Sequence, residues 1–275
     1  MKKPIIALQL HTVKDVIAID ISETLLKIKD MGYNAVEFSG MPKFADFAEE
    51  FREILDVAKL FAFSAQVPYV ELERDAKSII NACRLLGCSY VGIQMLEKSH
   101  LPGGGYWPTV HRIITSIATQ CQDAKLPLMY HNHAYELEKH KDGNHILDQF
   151  FEELPGVNAQ LDVGGLHEGN QDPVKYIKRY KGRCPVIHIR DVYKAPTGFK
   201  DSAIGKGEQD IVAIVKAAIE AGVECFVVDV HNAPYEMQLD VAQQSIDFLH
   251  GILHTLLPGP ASSRFGILKG DFGSK

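Results

Sequence analysis

Short apolar runs alternate with amphipathic segments along the whole chain. The runs are four to six residues long and bounded by turn residues; the segments between them repeat apolar positions at i, i+3 and i+4. The pattern predicts strands over 5–10, 35–38, 62–67, 90–95, 126–130, 159–163, 186–190 and 225–230. It predicts helices over 23–31, 44–60, 74–86, 107–124, 146–154, 173–180, 211–221 and 239–256, the first capped by Ser22 and stopped by Gly32. Strands that alternate with helices form parallel βα units. Eight such units in this length favour an α/β fold with a single closed (β/α)8 TIM barrel over an open sheet, because closure removes both sheet edges. The barrel is expected over 1–256 and an irregular tail, rich in Pro, Gly and Ser, over 257–275.

Composition adds exclusions. The 275 residues are 46% hydrophobic and 23% charged, as in an ordinary globular enzyme. A formal charge of -6 without a Lys/Arg cluster leaves no footprint for nucleic acid. No run of eighteen apolar residues occurs, so no membrane-spanning segment is expected. The five cysteines are scattered without CxxC spacing and read as reduced thiols of a cytoplasmic protein. The N-terminal apolar run is interrupted by Gln9 and His11 and reads as a first strand, not a signal peptide.

The chemistry gathers at the strand ends. The run 126–130 stops abruptly at His131, Asn132 and His133, with Glu136 just beyond. Three other runs end in metal-capable residues: Asp162, His188, and Asp229 with His231. In a parallel barrel these C-terminal ends converge on one pocket, so the first expectation is a divalent metal held by His131, Asp162, His188 and Asp229. Taken singly, Asp162 would equally start a turn before Gly164-Gly165, and His188 would equally be a hydrogen-bonded core histidine. His133 and His231 are expected to bind substrate, as is Arg190, which shares the facing of His188 two residues earlier. Gln9, His11, Glu37 and Trp107 are expected to wall the pocket, with helix packing an equal reading for Trp107. Residues 205–210, GKGEQD, lack the spacing of a P-loop; as the long loop after the seventh strand they fall where barrels build part of a substrate or phosphate pocket.

The segments IALQLHTVKD, LMYHNHAYEL, QLDVGGLHEGNQDP, VIHIRDV, AIGKGEQDI and FVVDVHNAP, in this order, resemble the xylose isomerase-like TIM barrels, also called sugar phosphate isomerases/epimerases. The resemblance spans about residues 5–255 and implies one divalent ion (manganese, magnesium, cobalt or zinc) that polarises a sugar carbonyl and its neighbouring hydroxyl. By that similarity Asp162 and His188 match the family's metal aspartate and histidine. Asp229 and His131 stand where the family usually has glutamates, one of them also the base. Glu136 belongs to an HNHxxE variant and would supply the missing carboxylate, so Glu136 and Asp229 are the expected catalytic groups. The implied activity is a metal-dependent isomerase or epimerase of a small sugar or sugar derivative. The alternatives are a lyase or dehydratase acting on a keto-sugar or inosose, and a non-catalytic sugar-binding barrel. A small carbohydrate is the expected partner, and a homodimer is compatible with a barrel of this size. Endonuclease IV shares the fold, but its activity would need more metal ligands and a basic groove.

Overall fold

The computed structural model describes residues 3–40, 44–141 and 143–257. Eight parallel strands alternate with helices: β1 (Ile5–Gln9), β2 (Ala35–Phe38), β3 (Phe61–Val67), β4 (Tyr90–Ile93), β5 (Leu128–His131), β6 (Asn158–Asp162), β7 (Val186–Ile189) and, after a hairpin, β10 (Cys225–Val228). They close into a barrel in the order β1-β10-β7-β6-β5-β4-β3-β2. The expected (β/α)8 barrel is therefore the fold. Of the tail expected over 257–275, residues 258–275 lie outside the described residues.

Local signals account for most boundaries. The helix Ile21–Asp30 is capped by Asp20 and not by Ser22: the Asp20 carboxylate accepts from the Glu23 amide at 2.8 Å, and Lys27 and Lys29 sit in the last turn, where the helix dipole favours cations. Asp210 caps the helix Ile211–Ala221 in the same way, accepting from Ala213 N at 2.9 Å. The helix expected from 74 begins earlier, as Tyr69–Leu86, and breaks at Asp75, whose carboxylate accepts from Ser78 N and caps the second half. The long helix expected over 44–60 splits into a 3-10 turn, Phe44–Phe47, and the helix Ala48–Ala58. Residues 163–168, where the sequence suggested the strand's last residue, Val163, and a turn at Gly164-Gly165, form a short helix that Asp162 caps.

Two apolar layers hold the barrel. The outer one lies between strands and helices and includes Leu8, Val36, Val91, Leu161, Ile187 and Val228. The inner one is small: Ala7, Ala35, Phe63, Met129, Val186, Cys225 and Val227 fill the lower interior. Side chains alternate along each strand, so the next inward positions toward the C-terminal ends fall one layer higher; on β3 a register shift against β2 after Ala62 resets the alternation and turns Ser64 and Gln66 inward. Those positions are Gln9, Glu37, Gln66, Gln160 and His188, all buried. The polar layer rests on an apolar plug.

An antiparallel hairpin, β8 (Asp191–Ala195) and β9 (Gly198–Ser202), follows β7 directly, pairing Tyr193 with Lys200 and Asp191 with Ser202. It stands over the C-terminal face of the barrel.

Candidate active site

Glu37 is the hub of the polar layer. Its Oε2 accepts from Ser64 Oγ at 2.6 Å and Gln160 Nε2 at 2.5 Å. Its Oε1 accepts from Gln9 Nε2 at 3.3 Å and lies 2.7 Å from His188 Nε2. Gln66 ties the layer together: its Nε2 donates to Gln160 Oε1 at 3.0 Å, and its Oε1 accepts from Gln9 and from Ser39 Oγ. This network pins the His188 ring from below.

The upper side of that ring meets Asp229, just past the end of β10. His188 Nδ1 is 3.0 Å from Asp229 Oδ2, and His231 Nε2 reaches the same oxygen at 2.9 Å. Burial opposes charge on His188, but Glu37 and Asp229 outweigh it and raise its pKa to about 10. Asp229 is fully buried, and burial alone would raise its pKa; His231 and His188 reverse the sign and hold it well below the usual carboxylate range. His131 stands above, its ring 4.5 Å from that of His188 between centroids. Burial lowers its pKa well below the ordinary histidine value, with His188 and His133 adding to the effect, so its ring is neutral and carries a lone pair.

His131, His188 and Asp229 each present a donor atom, and these atoms lie within 4.8 Å of one another. His131 Nδ1 and Asp229 Oδ1 are buried and have no hydrogen-bond partner among the described residues. Orphaned buried polar atoms cost free energy unless something satisfies them. Two imidazoles and a carboxylate around one point are a donor set suited to zinc, cobalt or manganese, and the residues fit a divalent cation if the ion takes the place of the proton that His188 Nδ1 shares with Asp229 while Nε2 stays on Glu37.

Asp162 is close by but engaged elsewhere. Its Oδ1 accepts from Gly164 N at 2.9 Å; its Oδ2 accepts from Gly165 N at 3.1 Å and from Arg190 Nε at 2.9 Å. A side chain at 164 would lie 2.8 Å from Arg190 Nε, so the glycine lets the guanidinium pass. Arg190, expected to hold substrate, is buried and paired with three carboxylates, since its Nη1 also donates to Glu168 and Asp201 at 2.8 Å each. Burial disfavours its charge, but Asp162, Asp201 and Glu168 more than compensate and raise its pKa. Arg190 is therefore a clamp that joins β6, β7 and the hairpin.

Two further expectations change. Glu136 is fully buried, with Oε1 accepting from Tyr130 OH at 2.6 Å and Oε2 from His133 N at 2.8 Å. Both oxygens are used inside the loop after β5, which positions His133 and leaves the carboxylate off the pocket wall. Trp107 is also off the wall: its indole donates to Glu153 Oε2 at 2.7 Å and packs on Phe150, tying the helix Trp107–Asp123 to Ile146–Glu153. The helix-packing reading of Trp107 is what the structure shows.

The chamber above the polar layer has a volume of about 250 Å³ and is walled by Gln9, His11, Gln66, His131, His133 and His231, among others. His11 and His231 face each other edge to face, 6.0 Å between centroids. Burial lowers the pKa of His11, with Lys14 and His231 adding to the effect. Asp229 raises that of His231 to about 9, against the effect of burial. Sequence reasoning missed Ser39, Ser64, Gln66, Gln94, Gln160 and Asn232. Gln160 was within reach, being two residues before Asp162 on the same strand and so sharing its facing.

The loop 205–210 has a different use from the one its glycines suggest. Its backbone amides close on Asp191: Gly205 N and Gly207 N donate to Oδ2 at 2.9 Å each, and Gln209 N to Oδ1 at 3.3 Å. A protein carboxylate thus sits where an anion would be cradled.

Among the described residues no helix is long and apolar enough to cross a membrane. A search of curated proteins finds no match. Solved structures of similar shape include a sugar phosphate isomerase/epimerase from Parabacteroides distasonis, with TM-score 0.74, 19% identity, 94% of this chain covered and 96% of that one. The IolI protein with a bound zinc atom matches with TM-score 0.68, 15% identity and coverage of 92% and 99%. A xylose isomerase-like TIM barrel protein from Mycobacterium smegmatis in complex with magnesium matches with TM-score 0.71, 16% identity and coverage of 93% and 98%. At these identities the likeness is one of fold. A family model described as xylose isomerase-like TIM barrel matches residues 25–252. With more than half of its length under that match, and with its strand ends converging on one buried set of imidazoles and a carboxylate, the chain belongs to the xylose isomerase-like TIM barrel family.

Proposed function

We propose that the protein is a metal-dependent isomerase or epimerase of a small sugar or sugar derivative. The observation that carries this reading is the convergence of His131, His188 and Asp229, with His131 Nδ1 and Asp229 Oδ1 unpartnered, at the floor of a polar chamber. These three residues would hold the ion, and Asp162, bound by Arg190, would support the site from beside it. When bound, a divalent cation supplies Lewis acidity that makes a proton next to a carbonyl more acidic.

The chain's own groups divide the proton work. His11 and His231 share a wall of the chamber and face each other edge to face, 6.0 Å between centroids, a placement that suits a base and an acid acting on one substrate. The neutral His11 imidazole takes the proton from the carbon next to the carbonyl. His231 keeps Nε2–H on Asp229 and has Nδ1–H to give to the substrate. In this assignment Asp229 acts through His231 and as an ion ligand, and Glu136 gives up the base role for that of positioning His133. The amides of Gln9, Gln66 and Asn232 on the chamber wall suit the hydroxyls of a sugar. The similar isomerase/epimerase and the zinc- and magnesium-bound structures of the same fold support the reading.

Elemental analysis of the wild type beside His131→Ala, His188→Ala and Asp229→Ala tests it. The expected result is about one ion per chain in the wild type and less than about a tenth of that in each variant. The loaded wild type should then exchange solvent deuterium into a carbon-bound position of a ketose or aldose panel. No ion uptake from manganese or zinc by the wild type would overturn the proposal and leave a sugar-binding barrel. Uptake without exchange on any sugar or keto-sugar would overturn its catalytic half.

A further inference from the structure

The helical layer of the barrel carries an apolar groove that shares no lining residue with the chamber. It has a volume of about 420 Å³ and runs between the helix Ile211–Ala221 and the last helix, Gln238–Leu256. Val212 comes from the first of these, and Phe248, Gly251, Ile252, Thr255 and Leu256 from the second; Asp247 is the charged residue among its walls. Positions 248, 252 and 256 are four apart, as are 247, 251 and 255, so the last helix offers two adjacent rows of one face. Val212 and Phe248 are 48% and 37% exposed, large apolar side chains that the described residues leave partly uncovered.

Gly251 points to an occupant. A glycine inside a helix is less stable than an alanine, yet a Cβ at 251 would meet nothing within 4 Å, so no described neighbour requires the small residue. A chain lying across the groove would require it. The protein's own sequence supplies such a chain, because the last helix ends at the groove's own lining residue, Leu256, and continues as LPGPASSRFGILKG. Pro258, Gly259 and Pro260 cannot prolong the helix and mark a turn. Residues 258–263 can then span up to roughly 20 Å, more than the roughly 13.5 Å of helix from Leu256 back to Asp247. The next residues, RFGILK over 264–269, are apolar at Phe265, Ile267 and Leu268 and basic at both ends, which complements an apolar groove with a carboxylate at its wall.

We propose that this groove is the docking site of residues 264–269 of the same chain, with Phe265 and Ile267 laid over Gly251 between Val212 and Phe248, and Lys269 beside Asp247. The segment so placed covers the two exposed apolar side chains and ties the helix before β10 to the helix after it. Those helices flank the strand that pairs with β1 to close the barrel, so the docked segment is a clasp over the closing seam.

Photo-crosslinking of the full chain with p-benzoylphenylalanine in place of Phe265 tests this, the products being mapped by mass spectrometry. The expected crosslinks join residue 265 to peptides containing Val212 or Phe248 within a single chain. Gly251→Trp, which fills the groove from an open position, should remove most of that yield, and so should Val212→Asp, which places a charge where the apolar segment docks. Both substitutions are at exposed positions, so the far-UV circular dichroism of each variant should match that of the wild type. Crosslinks that join two chains overturn the proposal in favour of a groove filled by a second copy. Crosslinks elsewhere on the protein, none at all, or a yield that survives both substitutions overturn it outright.

Discussion

Replacing Arg190 by methionine is the sharpest test of how the rim of the site is built. The guanidinium is buried and lies within 2.9 Å of Asp162, Glu168 and Asp201 oxygens, and only Glu168, at 25% side-chain exposure, has substantial access to water. Methionine keeps an apolar stem in place but removes the charge, leaving three carboxylates facing one another in a largely dry site. Removing one partner of a buried ion pair typically costs about 3–5 kcal/mol. At roughly 2–4 °C per kcal/mol for a chain of this size, the melting temperature at pH 7 should fall by about 6–20 °C. Differential scanning calorimetry reads this directly. The double variant Arg190→Met/Asp201→Asn removes one of the stranded charges and should recover part of the loss, giving a coupling of at least about 1 kcal/mol between the two positions. A fall of less than about 3 °C, or a double variant no more stable than the single, would refute the clamp. Arg190 would then be a substrate contact, as its strand position first suggested.

Three other outcomes follow from the same contacts. In chelator-treated protein the His231 imidazole should titrate near 9 by NMR, and Asp229→Asn should return it toward 6.5; because the folded pKa is raised, the pair's stabilisation is complete below about 6.5 and lost as pH rises through about 9, and a wild-type titration near 6.5 would refute the pairing. Glu136→Gln presents an amide NH2 to either Tyr130 OH or the His133 amide and should cost about 1–3 kcal/mol in urea denaturation with ion content unchanged, whereas loss of the ion with full stability would make Glu136 a ligand. Gly207→Ala would bring a Cβ to 2.2 Å from Asp191 Oδ1, so a loss of about 1–3 kcal/mol by thermal denaturation is expected, and an unchanged melting temperature would mean that the cradle is not tight.

The barrel was legible in the sequence because its determinants are local. Eight apolar runs with amphipathic partners specify strands and helices one at a time, and only closure in the order β1-β10-β7-β6-β5-β4-β3-β2 accommodates all eight parallel strands without an edge. The strand ends were legible for the same reason: His131 and Asp162 terminate their apolar runs, Asp229 immediately follows one and His188 lies one residue before the end of another, and parallel strands deliver such ends to one face. What each end does was decided by neighbours distant in sequence. Asp162 faces Arg190 because β6 and β7 are adjacent and Gly164 leaves room for the guanidinium, a fact carried by no stretch of either strand. Glu136 turns inward to Tyr130, and Trp107 reaches Glu153, because helix and loop packing places those partners there. The hairpin over 191–202 hides in sequence behind the polar Lys194, Lys200 and Asp201, since a two-stranded element on the surface needs no apolar face of its own. Periodicity sets which residues point inward, but pairing between charged groups depends on distances that only the closed barrel defines.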